Sequence, residues 1–195
     1  MVETSLSLPF AEVRQRLTLL PRGIREHVER VVAEAVSLAR CQGVDPVAAE
    51  FTALAHDLFR VESPGALRER AKAYGVNGGR AEQRTPVLLH GPVTAEWLRR
   101  ELGVADEDVL NAIRYHTSGR PGMSRLEMVL FVADKAEPGR HEYPHREETE
   151  QLACHDIEGA VLRLLGQRAT SLRAKGLPVV GDMQATLEWL RSRRA

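Results

Sequence analysis

Residues 45–60 read DPVAAEFTALAHDLFR, from Asp45 to Arg60. Asp45 is a good helix N-cap and Pro46 suits the first helical position. Val47, Phe51, Leu54 and Leu58 recur at helical spacing, so the stretch predicts a helix that ends near Arg60. His56 and Asp57 stand side by side inside its apolar run. A charged carboxylate is costly there unless it is paired or bound to a cation. Taken alone, a His-Asp pair reads as the wet edge of a helix. The rest of the chain alters that reading, because it supplies His27, His90, His116 and Asp134, each on or beside its own predicted helix.

Outward from this stretch the pattern is helical throughout. Phe10, Val13, Leu17 and Leu20 share one face of a helix from about Pro9 to Leu20. A longer helix follows, from about Arg22 to Gln42, with Gly43 as its stop. His27 borders the buried face of that helix. Ser63-Pro64 starts a short polar helix that stops at Gly75, and residues 76–85 read as an exposed loop because adjacent glycines disfavour helix. Two prolines and a glycine bracket His90, which therefore sits between two elements. Helices are predicted over about Val93–Leu102 and then from an Asp106 cap to a last turn of Arg114, Tyr115 and His116.

Ser124 and Glu127 form an S-x-x-E capping box. They start the most apolar helix of the chain, with Asp134 near its end and Pro138-Gly139 as its terminator. His141, His145 and His155 lie in or near a polar stretch that already satisfies them, so they read as surface residues. Helices over about Asp156–Lys175 and from Asp182 onward complete the pattern. No segment reads as a strand, and Val179-Val180 is too short to count. The fold class is therefore all-α, a helical bundle.

The chain has 195 residues, 43% apolar and 28% charged, with a formal net charge of +0. That is ordinary globular composition, enough for one well-buried domain. Neutrality argues against a dedicated nucleic-acid binder, whose affinity needs a basic surface. It leaves room for a small phosphorylated ligand in a locally basic pocket. No apolar run is long enough to span a bilayer. The N-terminus does not resemble a signal peptide. Cys41 and Cys154 are far apart in sequence and form no CxxC, so a disulfide is not expected and a cytoplasmic setting is the simpler one.

His27, His56, Asp57, His90, His116 and Asp134 come from different helices and can converge on one pocket of a bundle. Adjacent residues on a helix lie about 100 degrees apart, so His56 and Asp57 would flank two neighbouring cations, with the carboxylate between them. Four imidazoles and two carboxylates suffice for two metal ions that keep positions open for water and substrate. Mixed nitrogen and oxygen ligation suits iron, manganese, cobalt or zinc better than calcium or magnesium. The natural reaction of such a pair is attack of an activated water on phosphorus.

The order H…HD…H…H…D resembles the HD-domain phosphohydrolase superfamily. The stretches PVLLHGPV, NAIRYHTSGRPGMSRLE and VADKAEPGR are closely similar to its YqeK-type subgroup, over most of the chain from about Arg22 to Leu187. The resemblance implies a single domain over residues 1–195. Its metal-binding core would span about 22–140, with helices from about 146 onward packed on it. It implies two metal ions, iron first among the candidates. It also implies symmetrical hydrolysis of diadenosine tetraphosphate to two ADP.

Carried over by position, His27, His56, Asp57, His90, His116 and Asp134 match the metal ligands, and Asp57 matches the bridging carboxylate. Asp57 and His56 thus become the catalytic candidates. Thr117, Gly119, Arg120 and Arg140 match segments that would meet substrate, and the arginines suit phosphate. Arg60 stands where the subgroup commonly has lysine, which is not an equivalent residue. Residues 141–147 also depart from the usual apolar turn. Two other readings keep the pocket: cleavage of a nucleoside mono- or diphosphate or another small phosphoester, and a non-catalytic nucleotide sensor. The implied partner is a small nucleotide, with no nucleic acid and no membrane; a homodimer is compatible with the sequence.

Overall fold

The computed structural model describes residues 8–140, 146–177, 179 and 181–194. Eleven α-helices follow one another among them: α1 (Phe10–Thr18), α2 (Arg22–Gln42), α3 (Pro46–Ala55), α4 (Pro64–Ala73), α5 (Arg80–Arg84), α6 (His90–Glu101), α7 (Glu107–Tyr115), α8 (Arg125–Ala136), α9 (Arg146–His155), α10 (Ile157–Ala174) and α11 (Gly181–Ser192). A short 3-10 turn, Pro86–Leu89, leads into α6. No strand occurs among the described residues. No helix among them is long and apolar enough to cross a membrane.

The bundle is built around α8. Every residue from Leu126 to Ala136 is buried, the charged Glu127, Asp134 and Lys135 included. It packs against α2, α3, α7, α9 and α10. Ser124 and Glu127 form the reciprocal capping box at its start, which satisfies two otherwise orphaned backbone donors. The expected caps of the other helices are also present. Asp45 accepts from the Val47 amide, and Ser63 from the Ala66 amide. Asp106 accepts from the Asp108 and Val109 amides. Gly43 ends α2 at a φ of 64°, a left-handed turn that glycine enters without strain.

Three expectations require correction. First, α3 ends at Ala55, not near Arg60. The His56 Nδ1–H donates to the Ala53 carbonyl at 2.7 Å, the acceptor that the Asp57 amide would use in a continuing helix. Side-chain competition of this kind favours a turn over the next helical bond. The chain tightens instead into turns closed by Leu58 to Ala55, Arg60 to Asp57 and Glu62 to Phe59. Second, the loop expected over 76–85 contains the short helix α5.

Third, Cys41 and Cys154 form a disulfide, with Cα atoms 5.1 Å apart. Sequence separation misled here, because α2 packs against α9. The Gln42 amide also donates to the carbonyls of Ala153 and Cys154. The pairing withdraws the case for a reducing compartment that rested on unpaired cysteines. His141, His145 and Val180 lie outside the described residues, and His155 is exposed at the end of α9.

Candidate metal centre

His56, His90 and His116 are placed by one repeated device. Each stands at a helix end and turns its ring back on the carbonyl three residues earlier. His56 Nδ1 donates to Ala53 at 2.7 Å and His116 Nδ1 to Ile113 at 2.7 Å. His90 Nδ1 donates to Val87. With Nδ1 carrying the proton, Nε2 presents a lone pair, which is how a histidine is prepared for a cation. The three rings are buried, and each Nε2 faces the same interior point. His27, on α2, does likewise through a different acceptor: its Nδ1 donates to Glu137 Oε1 at 3.0 Å.

At that point the acceptors crowd together. His90 and His116 Nε2 are 3.0 Å apart. Asp57 Oδ1 lies 3.1 Å from His90 Nε2 and 3.6 Å from His116 Nε2. Its Oδ2 lies 3.6 Å from His56 Nε2 and 3.7 Å from His27 Nε2. Asp134 Oδ1 lies 3.2 Å from His27 Nε2 and 3.8 Å from His56 Nε2. Two overlapping trios, His27–His56–Asp134 and His56–Asp57–His116, each bring three ligand atoms within 4.8 Å of one another. All six sequence-predicted ligands are therefore in one cluster.

The donor set fits a metal, and Asp57 supplies the test. Its side chain is buried, and neither oxygen accepts a hydrogen bond among the described residues; the same is true of His56 Nε2. A buried ion without partners costs several kcal/mol, of order 3–5 when one partner is missing. A cation among these atoms removes that cost. Burial alone raises the Asp57 carboxyl; positive charge on His56 and donation from His116 and His90 pull it well below the ordinary range, and they do so only while those rings carry Nε2 protons. With the rings neutral and their protons on Nδ1, a bound cation would take over that role. Burial pushes His56 down, and His116 down to about 4, although Asp57 opposes both. These rings remain neutral near pH 7, as ligation requires.

Close packing of α6 on α7 sets the gap between the two middle histidines. A Cβ on Gly91 would meet the Ile113 carbonyl at 2.9 Å, the Arg114 carbonyl at 3.0 Å and His116 Nδ1 at 3.2 Å. Only glycine allows the approach.

The predicted substrate residues divide. Arg60 Nε stands 3.5 Å from Asp57 Oδ2. Arg140 lies in the cluster, its Nη2 donating to Asp134 Oδ1 at 2.7 Å and lying 3.5 Å from His27 Nε2. Arg120 is instead engaged by Glu127, at 2.6 and 2.9 Å. Gly119, at a φ of 66°, faces Thr186 and Met123, so its small size serves the contact with α11. Thr117 follows His116 and is half-buried.

Three contributors carried no sequence signal of their own. Lys135 is buried and donates to the His116 carbonyl at 2.7 Å and to Asp134 Oδ2 at 3.1 Å, and its ammonium lies 3.8 Å from the centre of the Phe131 ring. Glu137, just before the Pro138-Gly139 terminator, is buried against His27. Arg30, one turn after His27, grips Glu137.

A model of the HD domain matches residues 24–139, and the chain belongs to the HD-domain family. Within it, the chain is 38% identical over 171 residues to a Bacillus subtilis protein named bis(5'-nucleosyl)-tetraphosphatase, symmetrical; the match covers 85% of this chain and 88% of that protein. A protein of the same name from Halalkalibacterium halodurans is 37% identical, with 85% and 87% covered. A Clostridium acetobutylicum crystal structure, titled a predicted HD superfamily hydrolase involved in NAD metabolism, superposes with a TM-score of 0.88 at 30% identity. It covers 94% of this chain and 97% of that one.

Proposed function

We propose that this protein is a metal-dependent hydrolase that cleaves diadenosine tetraphosphate symmetrically into two ADP. The observation that carries the chemistry is the buried Asp57 carboxylate, ionised, without a hydrogen-bond donor, and ringed by four imidazole nitrogens. The substrate follows the names of the relatives, which this chain matches over most of its length. The whole chain acts as one domain in this reading.

His27, His56, Asp57, His90, His116 and Asp134 would hold two metal ions, with iron the first candidate and manganese, cobalt or zinc as the others. When bound, such a pair acidifies a water and polarises phosphoryl oxygens. His56 belongs to both trios and Asp57 to one, and these two side chains would orient the water for in-line attack. The water oxygen bonds to one inner phosphorus, the bond from that phosphorus to the central bridging oxygen breaks, and each half departs as ADP. Arg60, beside Asp57, and Arg140, beside Asp134, would hold phosphate oxygens. A guanidinium suits them because it grips two at once. Thr117 supplies a hydroxyl beside His116. Arg120 and Gly119 support the loop after His116.

The test is purification without chelator, elemental analysis, and chromatography of the products from diadenosine tetraphosphate. About two metal ions per chain and ADP as the sole product are expected. AMP with ATP would refute symmetrical cleavage. Faster cleavage of a simple nucleotide would refute the substrate, and bound nucleotide without turnover would favour a sensor.

A further inference from the structure

Glu137 is the one acceptor that sets a ligand-type histidine here with a carboxylate; the other three rings use backbone carbonyls. Its two oxygens are not equivalent. Oε2 accepts from Arg30 Nε and from the Gly139 amide. Oε1 accepts from His27 Nδ1 at 3.0 Å and, more weakly, from Arg30 Nη2 at 3.3 Å. The carboxylate is therefore held in one orientation by two fixed donors and offers its other oxygen to the imidazole. A Cβ on Gly139 would displace the Arg30 guanidinium.

We infer that Glu137 is a positioning residue that fixes the proton of His27 on Nδ1 and so gives the His27–His56–Asp134 trio its metal affinity. The inference rests on the dinuclear reading above. A carboxylate partner also makes the ligating nitrogen more electron-rich than a carbonyl partner does. The Glu137→Gln substitution keeps shape but reverses the proton. Arg30 and Gly139 both donate to the Oε2 position, so the glutamine oxygen must settle there. The amide NH2 then faces His27 Nδ1 and donates to it. His27 must carry its proton on Nε2, where Asp134 Oδ1 at 3.2 Å accepts it. One hydrogen bond thus consumes both the nitrogen and the carboxylate oxygen that the cation would use.

Two measurements on the full chain decide this. Nitrogen NMR of the chelator-stripped protein reports which His27 nitrogen is protonated, independently of metal and activity. Calorimetric titration with Mn2+ then reports stoichiometry. The expected result is a protonated Nδ1 in the native chain and an unprotonated one in Glu137→Gln, with the second Mn2+ bound about 10–100-fold more weakly in the variant. An unprotonated Nδ1 in the native protein overturns the inference, whether or not the variant folds. Two ions bound by Glu137→Gln with native affinity overturn it as well. If the native chain binds no metal, the dinuclear reading fails, and the nitrogen spectra still decide the role of Glu137.

Discussion

Asp57 and Asp134 are both buried carboxylates in one cluster, yet their surroundings are opposites. Asp134 is compensated by the protein itself: Lys135 donates to one oxygen and Arg140 to the other. Asp57 receives no hydrogen bond on either oxygen. Glu34 on α2 shows a third solution. It is buried against α9, where burial and Glu150 push its carboxyl up to about 7 against the opposing pull of Arg146. A buried acid can thus be paired, protonated, or left ionised without a hydrogen bond, as Asp57 is among the described residues, with Arg60 Nε 3.5 Å from Oδ2. Only the last is costly without a cation, and it is the one at the centre of the six candidate ligands.

Substitution of the two aspartates gives the sharpest test of this contrast. Asp57→Asn should lower turnover by at least about 10³-fold, as loss of the central charge in an electrostatic site does. The metal-free variant should melt no lower than the native metal-free chain, because a bare buried charge has been removed. Asp134→Asn should also abolish turnover, but it strands the Lys135 ammonium. Its metal-free form should lose about 3–5 kcal/mol by denaturant titration. Equal effects on metal-free stability would dissolve the distinction.

Arg140→Gln comes next. Loss of one charged hydrogen bond to phosphate is worth about 1.5–3 kcal/mol, so kcat/KM should fall about 10–100-fold with the helical spectrum unchanged. A native kcat/KM would overturn a phosphate-binding role for Arg140.

Acid stability probes the imidazoles around Asp57. The folded His116 resists protonation down to about 4, whereas its ordinary value is 6.5. The unfolded chain therefore takes up a proton that the folded chain refuses, and metal-free stability falls as pH drops from 6.5 towards 4. Glu137 is held near 2 by Arg30, Gly139 and His27 despite its burial. It adds a further loss from the ordinary carboxylate range down to about 2. Glu34 acts in the other direction. Its folded form binds a proton first, so it contributes stability as pH falls through 7 and costs stability above it. Glu34→Gln should accordingly stabilise the protein at pH 8 by about 1–2 kcal/mol and change little at pH 4. Denaturant midpoints across this range measure all three.

Much of the site was legible because its ligands are uncommon residues at helix ends. His90 lies between a 3-10 turn and a helix, and Asp134 lies in the most apolar helix, as the pattern required. The end of α3 was not legible, since the periodicity of Leu54 and Leu58 continues through it. What stops the helix is the His56 ring competing for a backbone carbonyl, a contest that composition does not reveal. Glu137 and Lys135 were hidden for another reason. Their roles depend on how α2 and the His116 turn lie against the end of α8, and polar residues near Pro138-Gly139 read equally well as surface. The Cys41–Cys154 pairing likewise follows from the packing of α2 on α9, not from any spacing in the chain.

Gly91 has a consequence for how such a protein varies over time. Its missing methyl group acts as a machinist's shim of zero thickness between α6 and α7. Adding even an alanine there forces the two backbones apart, and with them the rings of His90 and His116, although every ligand survives untouched. A descendant could therefore keep all six histidines and aspartates and still lose the gauge of its pocket. The dipeptide His90-Gly91 is then as informative about an intact centre as His56-Asp57, because the first records the spacing and the second only the contents.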